Sequence, residues 1–138
     1  MKTPVTVDAS VFVNAFSPDE AGSDASAEYL SQLRKDGVPL IQPTLFFPEV
    51  VASIARKQDD AEVALELMHE LKKFSKLTLI DLDDDLADYA SEIAAKHRLR
   101  GSDAVYAAVA LRFGAELITL DKEQLVRLPK VLSVRKPR

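Results

Sequence analysis

Five short apolar runs set the limits on what this chain can become: Val5 to Val7, Pro39 to Gln42, Leu77 to Ile80, Glu116 to Thr119 and Val131 to Val134. None exceeds four residues, and stretches of helical length and spacing separate them. Strands this short are stable only inside a sheet. Parallel strands need long crossovers, and crossover helices bury the sheet faces. The alternation therefore predicts a parallel sheet covered on both faces.

The intervening segments read as helices. Ser10 is placed to cap a short helix through Phe16, with Pro18 and Gly22 marking the loop beyond it. Asp24 to Lys35 carries Ala27, Leu30 and Leu33 at helical spacing and is closed by Gly37. Another helix opens at or just after Thr44, because Pro48 is tolerated only in a first turn, and this puts Glu49 near a helix start. Asp59 to Phe74 repeats Val63, Leu67, Leu71 and Phe74, and Asp83 to Arg98 forms the next helix. Ser102 to Phe113 is apolar almost all round, the mark of a helix buried between layers, and Asp103 stands in its first turn. After the strand Glu116 to Thr119 comes Asp121, then a short helix to Leu128.

At 138 residues and 47% hydrophobic content the chain has the material for one core, so a single domain over residues 1–138 is expected. There is no cysteine, which removes disulfides, thiolate metal sites and cysteine nucleophiles. No run reaches the length of a signal peptide core or membrane span, and the expected location is cytoplasmic. The balance of 18 basic against 22 acidic residues gives a net charge of −4, which argues against attraction of the whole molecule to nucleic acid. Any such binding has to be local. Lys96, Arg98 and Arg100 form one basic cluster, and Arg135, Lys136 and Arg138 another.

In parallel sheets of this kind the functional crevice lies beyond the carboxyl ends of the strands. Asp8 ends the first strand, Asp121 follows the strand at Glu116, and Glu49 and Asp103 open two helices. Gathered in one crevice, they would repel by about 4 kcal/mol per close pair at an effective dielectric of 20. A divalent cation removes that repulsion. All-oxygen donors suit Mg²⁺ or Mn²⁺, and carboxylates holding such ions are the equipment of phosphoryl hydrolysis. The structural alternative is that Asp8 merely caps a helix while Glu49 and Asp103 favour helix dipoles.

The segments "VDASVFVNAF", "PEVVASIARK", "RGSDAVYAAVA" and "LITLDKEQL", in this order, resemble the PIN domain, in particular the small ribonuclease toxins of VapBC-type toxin–antitoxin pairs. The resemblance spans essentially the whole chain. It implies a three-layer α/β/α fold with a central, mainly parallel sheet of four to five short strands. It further implies a metal-dependent endoribonuclease using Mg²⁺ or Mn²⁺, with metal-binding carboxylates at Asp8, Glu49, Asp103 and Asp121. Thr119 matches a hydroxyl before the last acid; Ser10, read from its own position as a cap, is also placed to hydrogen-bond a metal ligand. An RNA substrate, self-association as a homodimer or larger, and a VapB-like antitoxin partner are expected from the same likeness. Arg98 and Arg100 are the candidates for phosphate. One departure is Ala52, where many relatives carry Asn. An RNA-processing nuclease without an antitoxin, or a silent binding module, are the rival readings.

Other patterns carry less. Asp81 to Glu92 matches several acidic positions of a calcium loop but has Leu86 where the turn needs glycine. His69 and His97 stand alone, and Tyr106 reads as packed core. The run "PTLFFPEVVASIA" holds more large hydrophobes than one helix face buries, so an interface involving Phe46 and Phe47 is expected unless both are core.

Overall fold

The computed structural model describes residues 2–138. Strand β1 (Val5–Val7) leads into α1 (Ala9–Ala15) and α2 (Ser23–Asp36). Then follow β2 (Leu40–Pro43), α3 (Phe46–Gln58), α4 (Ala61–Leu71), β3 (Leu77–Ile80) and α5 (Asp84–His97). The chain continues through α6 (Gly101–Phe113), β4 (Glu116–Ile118), α7 (Lys122–Arg127) and β5 (Val134–Arg135).

The sheet runs β3-β2-β1-β4-β5, and every pairing is parallel. From β1 the chain builds outward through β2 and β3, then returns to the other side for β4 and β5. The order reverses between β1 and β4, and such a switch point opens a crevice at the strands' carboxyl ends. In register, Val7 pairs with Ile118, so Asp8 and Thr119 leave the sheet side by side. Buried Gln42 secures the other flank: its side-chain amide bonds both the N–H and the C=O of Val7, at 2.6 and 2.7 Å.

Helix α6 packs across β1, β2 and β4, with α5 outside it. Residues Ala104 to Ala110 are all buried, as the nearly continuous apolar sequence requires. α1 packs on α2 and α3, and α3 on α4. Gly37 closes α2 in the left-handed region at φ +62°, the conformation for which a glycine stop is suited.

Several expectations shift. Ser10 does not cap α1; Asp8 does, its carboxylate accepting from Ser10 N. The helix expected from Asp59 starts later, because Asp59 ends α3 at φ +49° and Asp60 caps α4. The last strand is only Val134–Arg135, since Val131 and Leu132 still donate to Leu128 C=O in the turn closing α7. Phe46 and Phe47 are core, with 0% and 7% exposure, and Phe46 packs on Phe12 at 5.4 Å between ring centroids. An interface built on these two rings is therefore overturned: Phe46 is buried against Phe12 of α1, and Phe47 against Phe46 and beneath Lys72. Among the described residues no helix is long and apolar enough to cross a membrane. Asp81 to Glu92 forms no calcium loop; Asp83 caps α5 through Leu86 N at 2.9 Å.

Candidate active site

A crevice of about 740 Å³ opens at the carboxyl ends of β1 and β4, and Asp8, Glu49, Asp103 and Asp121 all line it. Asp8 reaches it directly from β1, 6% exposed, with Oδ2 accepting from Ser10 N at 3.0 Å. Burial pushes its carboxyl above the ordinary range; the bonds to Ser10 oppose this, while the charges of Glu49 and Asp121 add to it. Asp121 caps α7 through Gln124 N at 2.9 Å. Both acids are thus caps and crevice residues at once, so the two readings of them are compatible.

Thr119 and Ser10 hold the segment that carries Asp121. Thr119 Oγ1 accepts from Asp121 N at 2.9 Å, and Ser10 Oγ accepts from Leu120 N at 3.1 Å. The second bond ties the start of α1 to the end of β4, across the switch point. Thr119 thereby orients backbone, while the Ser10 side chain serves both the Leu120 N–H and the Asp8 carboxyl.

Glu49 and Asp103 come from the first turns of α3 and α6 and make no cap bond. Glu49 Oε1 accepts from Tyr106 O–H at 2.7 Å, and Tyr106 is wholly buried. Burial and the neighbouring carboxylate push that phenol far above its ordinary range, so it stays a donor. Tyr106 is packed core, as its sequence context suggests, and also fixes one oxygen of Glu49. Its spacing offers one signal: Tyr106 lies three residues after Asp103, on the same helical face. Ala52 lines the crevice without a polar group to offer.

Asp103 has its carboxyl raised to about 6, first by burial and then by Asp121 and Asp8, with Arg100 pulling the other way. Arg100 Nε donates to Asp103 Oδ2 at 3.1 Å and Nη2 to Asp121 Oδ2 at 2.7 Å. The guanidinium therefore bridges two of the acids from the solvent side. Arg98 lies outside the crevice lining. It ends α5 at φ +55°, and its C=O accepts from Arg127. Arg135, in the tail cluster, is engaged with Glu116 at 2.9 Å and lies over the Tyr29 ring. The crevice instead draws basic groups that charge clustering did not single out: Arg56 and Lys57, in the last turn of α3. Helical spacing from Glu49 to Arg56, two turns on, is the available signal for the first of these.

The donor set offers only hard oxygens to a cation. Among the described residues no three His, Cys, Asp or Glu side chains are grouped so as to hold a metal ion. The fit rests on donor chemistry alone: carboxylate oxygens are the ligands that Mg²⁺ and Mn²⁺ take. After burial, Asp8 is raised by the charges of Glu49 and Asp121, and Asp103 by those of Asp121 and Asp8, so carboxylate charges crowd one another in the crevice. On these grounds a hydrated divalent cation fits the residues present.

A family model described as PIN domain matches residues 5–131. Among solved structures, a toxin–antitoxin complex from Klebsiella pneumoniae has a TM-score of 0.68 at 19% identity, covering 97% of this chain and 98% of that one. VapBC2 from Rickettsia felis, bound to a promoter DNA fragment, gives 0.70 at 17% identity, with the same 97% and 98% coverage. VapC20 of Mycobacterium tuberculosis, described as a Sarcin-Ricin loop cleaving toxin, gives 0.68 at 16% identity, covering 86% and 90%. No curated protein sequence matches.

Proposed function

The chain belongs to the PIN domain family, and from that membership we propose that it is a metal-dependent endoribonuclease, the toxin of a type II toxin–antitoxin pair. One observation carries the reading: four acids from four separate elements line a single crevice at the switch point of the sheet. Evenly scattered surface carboxylates would not be buried against one another.

A bound Mg²⁺ or Mn²⁺ supplies positive charge that activates a water nucleophile and neutralises charge developing on the phosphate. Asp8 and Asp103, the most buried of the acids, are the residues proposed to hold it, with Glu49 and Asp121 around them. Tyr106 leaves Glu49 with one oxygen fixed and the other free to orient water. Asp8, capped onto Ser10 N, is held in one rotamer before anything binds. Hydrolysis adds the water oxygen to phosphorus and breaks one bond from phosphorus to a ribose oxygen, and the proton given up by the water balances the one taken up by the leaving oxygen. Arg100 and Arg56, at two sides of the same crevice, supply contacts to the backbone phosphates.

The partner proposal follows from the neighbours in complex with antitoxins. A VapB-like segment has an apolar groove available, about 390 Å³, lined by Phe16, Leu30, Leu71 and Phe74 with Arg34 and Lys35 at its edge. Self-association is proposed with it; Val63 and Leu65 on α4 are exposed at 40% and 48%. A cytoplasmic location goes with this role.

The test is cleavage of a single-stranded RNA by the purified chain in Mn²⁺, in EDTA, and with Asp103→Asn. Cleavage in Mn²⁺ alone, lost in the other two, is the expected result. An intact substrate with every divalent metal tried, while the protein is folded, would favour the silent binding module.

A further inference from the structure

We infer that Arg100 is the crevice's resident counter-cation, released from Asp103 and Asp121 to an RNA phosphate when a divalent cation enters, so that metal and RNA binding reinforce each other. The inference rests on the nuclease reading above and concerns how that site is regulated.

The geometry supplies both halves of the exchange. Arg100 is 69% exposed, whereas the side chains of Asp103 and Asp121 are 8% and 16% exposed. The arginine therefore lies over the two acids as a cover, reached from solvent. Its two bonds give both carboxylates the positive charge that the cluster otherwise lacks. A guanidinium and a divalent cation cannot both be held against these oxygens, because like charges at such separations repel strongly. The guanidinium side of both pairs is open to solvent, which screens them, so a divalent ion of twice the charge can compete for the same oxygens.

The backbone at Arg100 is ready for such a movement. Leu99, on one side, is 7% exposed and anchored in the core. Arg100 itself caps α6 in an extended conformation with no side-chain cap bond, so turning its side chain leaves the helix start intact. There is room for the displaced group. A second cleft, about 580 Å³, lies against the same arginine and is lined by Ser10, Leu120, Lys122 and Glu123 as well as Asp121. Arg100 thus forms part of the wall of both hollows. Lys122 adds a positive charge there and Glu123 a negative one, the remaining charged groups facing it.

Released from the acids, the guanidinium presents a planar fork that matches phosphate geometry. RNA phosphate then competes for Arg100 with the carboxylates, on the metal's side. Linkage makes the effect reciprocal: metal tightens RNA binding by the factor by which RNA tightens metal binding. Removing Arg100 deletes the metal's competitor and, with it, the part of the coupling that runs through the arginine. An ordinary phosphate-binding arginine would do neither, since its loss leaves metal affinity unchanged.

The experiment compares the wild-type chain with Arg100→Ala, and with Arg100→Gln as a second variant, each checked for folding by circular dichroism. Mn²⁺ alone is titrated calorimetrically. Binding of a hydrolysis-resistant single-stranded phosphorothioate 2′-O-methyl oligonucleotide is then followed by anisotropy with and without Mn²⁺. Both variants should bind Mn²⁺ more tightly than wild type, by about threefold or more. Mn²⁺ should tighten oligonucleotide binding about tenfold in wild type, within the usual range of coupling, and clearly less in the variants. Equal or weaker Mn²⁺ binding by the variants, or an unchanged enhancement, would overturn the exchange and leave Arg100 a surface ion pair. Absence of Mn²⁺ binding in all three proteins would instead remove the nuclease reading and this inference with it.

Discussion

Asp103 joins the electrostatics of the crevice to the stability of the chain. Its carboxyl is raised from 3.8 to about 6, chiefly by burial, so the folded state binds its proton more tightly than the unfolded state does. Protonated Asp103 therefore contributes stability below about pH 4, and this is lost as pH rises through about 6. In EDTA, Asp103→Asn should melt at a similar temperature to wild type near pH 4 and above it at pH 7. A difference that stays constant with pH would mean the acid is not under strain. Asp8 and Asp121 permit a different separation, because asparagine caps as well as aspartate but carries no charge. Asp121→Asn should keep stability within a few tenths of a kcal/mol while weakening Mn²⁺ binding; Asp121→Ala should lose about 1 kcal/mol more in urea unfolding. If both variants bind Mn²⁺ like wild type, Asp121 is a cap alone. Tyr106→Phe should cost about 1 kcal/mol and loosen Mn²⁺ binding, since one oxygen of Glu49 loses its donor. The same titrations check it.

At the scale of elements, much was legible. Val5-Thr6-Val7 and Leu77 to Ile80 read as strands from their short β-branched and apolar runs, and both fall where expected, the first wholly buried and the second at the half-exposed edge of the sheet. α6 was legible from its lack of a polar face. Boundaries were less so, for local reasons: Asp8 competes with Ser10 for the cap of α1, and Asp59 takes a left-handed turn that splits a long acidic connection. The Phe46–Phe47 pair illustrates what periodicity cannot register. A hydrophobe's partner can lie on a distant element: Phe12 stands 34 residues before Phe46. The same holds at the site. Arg100 to Asp103 is a helical spacing visible in sequence, but Arg100 to Asp121 and Tyr106 to Glu49 join residues 21 and 57 positions apart. The four acids were legible because strand ends and helix starts are positions set by local pattern; their donors were not, because those are set by packing.

Across the whole molecule, the net charge of −4 is the feature least suited to the proposed RNA binding, and the crevice, with Glu20 beside its four acids, is itself acidic on balance. Acids occupy the strand ends, while Arg100 and Arg56 border them, so affinity should depend on divalent metal more than on overall basicity. With Mn²⁺ present, binding of single strands should weaken with salt at a log–log slope of about −0.7 per phosphate contact. Arg56→Ala should flatten that slope by about one such contact; an unchanged slope would return Arg56 to the solvated end of α3. Metal bound to the folded state alone should also raise its stability, by about 2.7 kcal/mol at a hundred times the dissociation constant. The central claim, that this acidic crevice hydrolyses RNA, is tested most directly by sequencing the 5′ ends of cellular RNA after brief induction of the wild-type chain or of Asp8→Asn. Discrete new ends are expected with the wild type and none with the variant; the same ends from both, or none from either, would mean that the crevice does not cleave RNA.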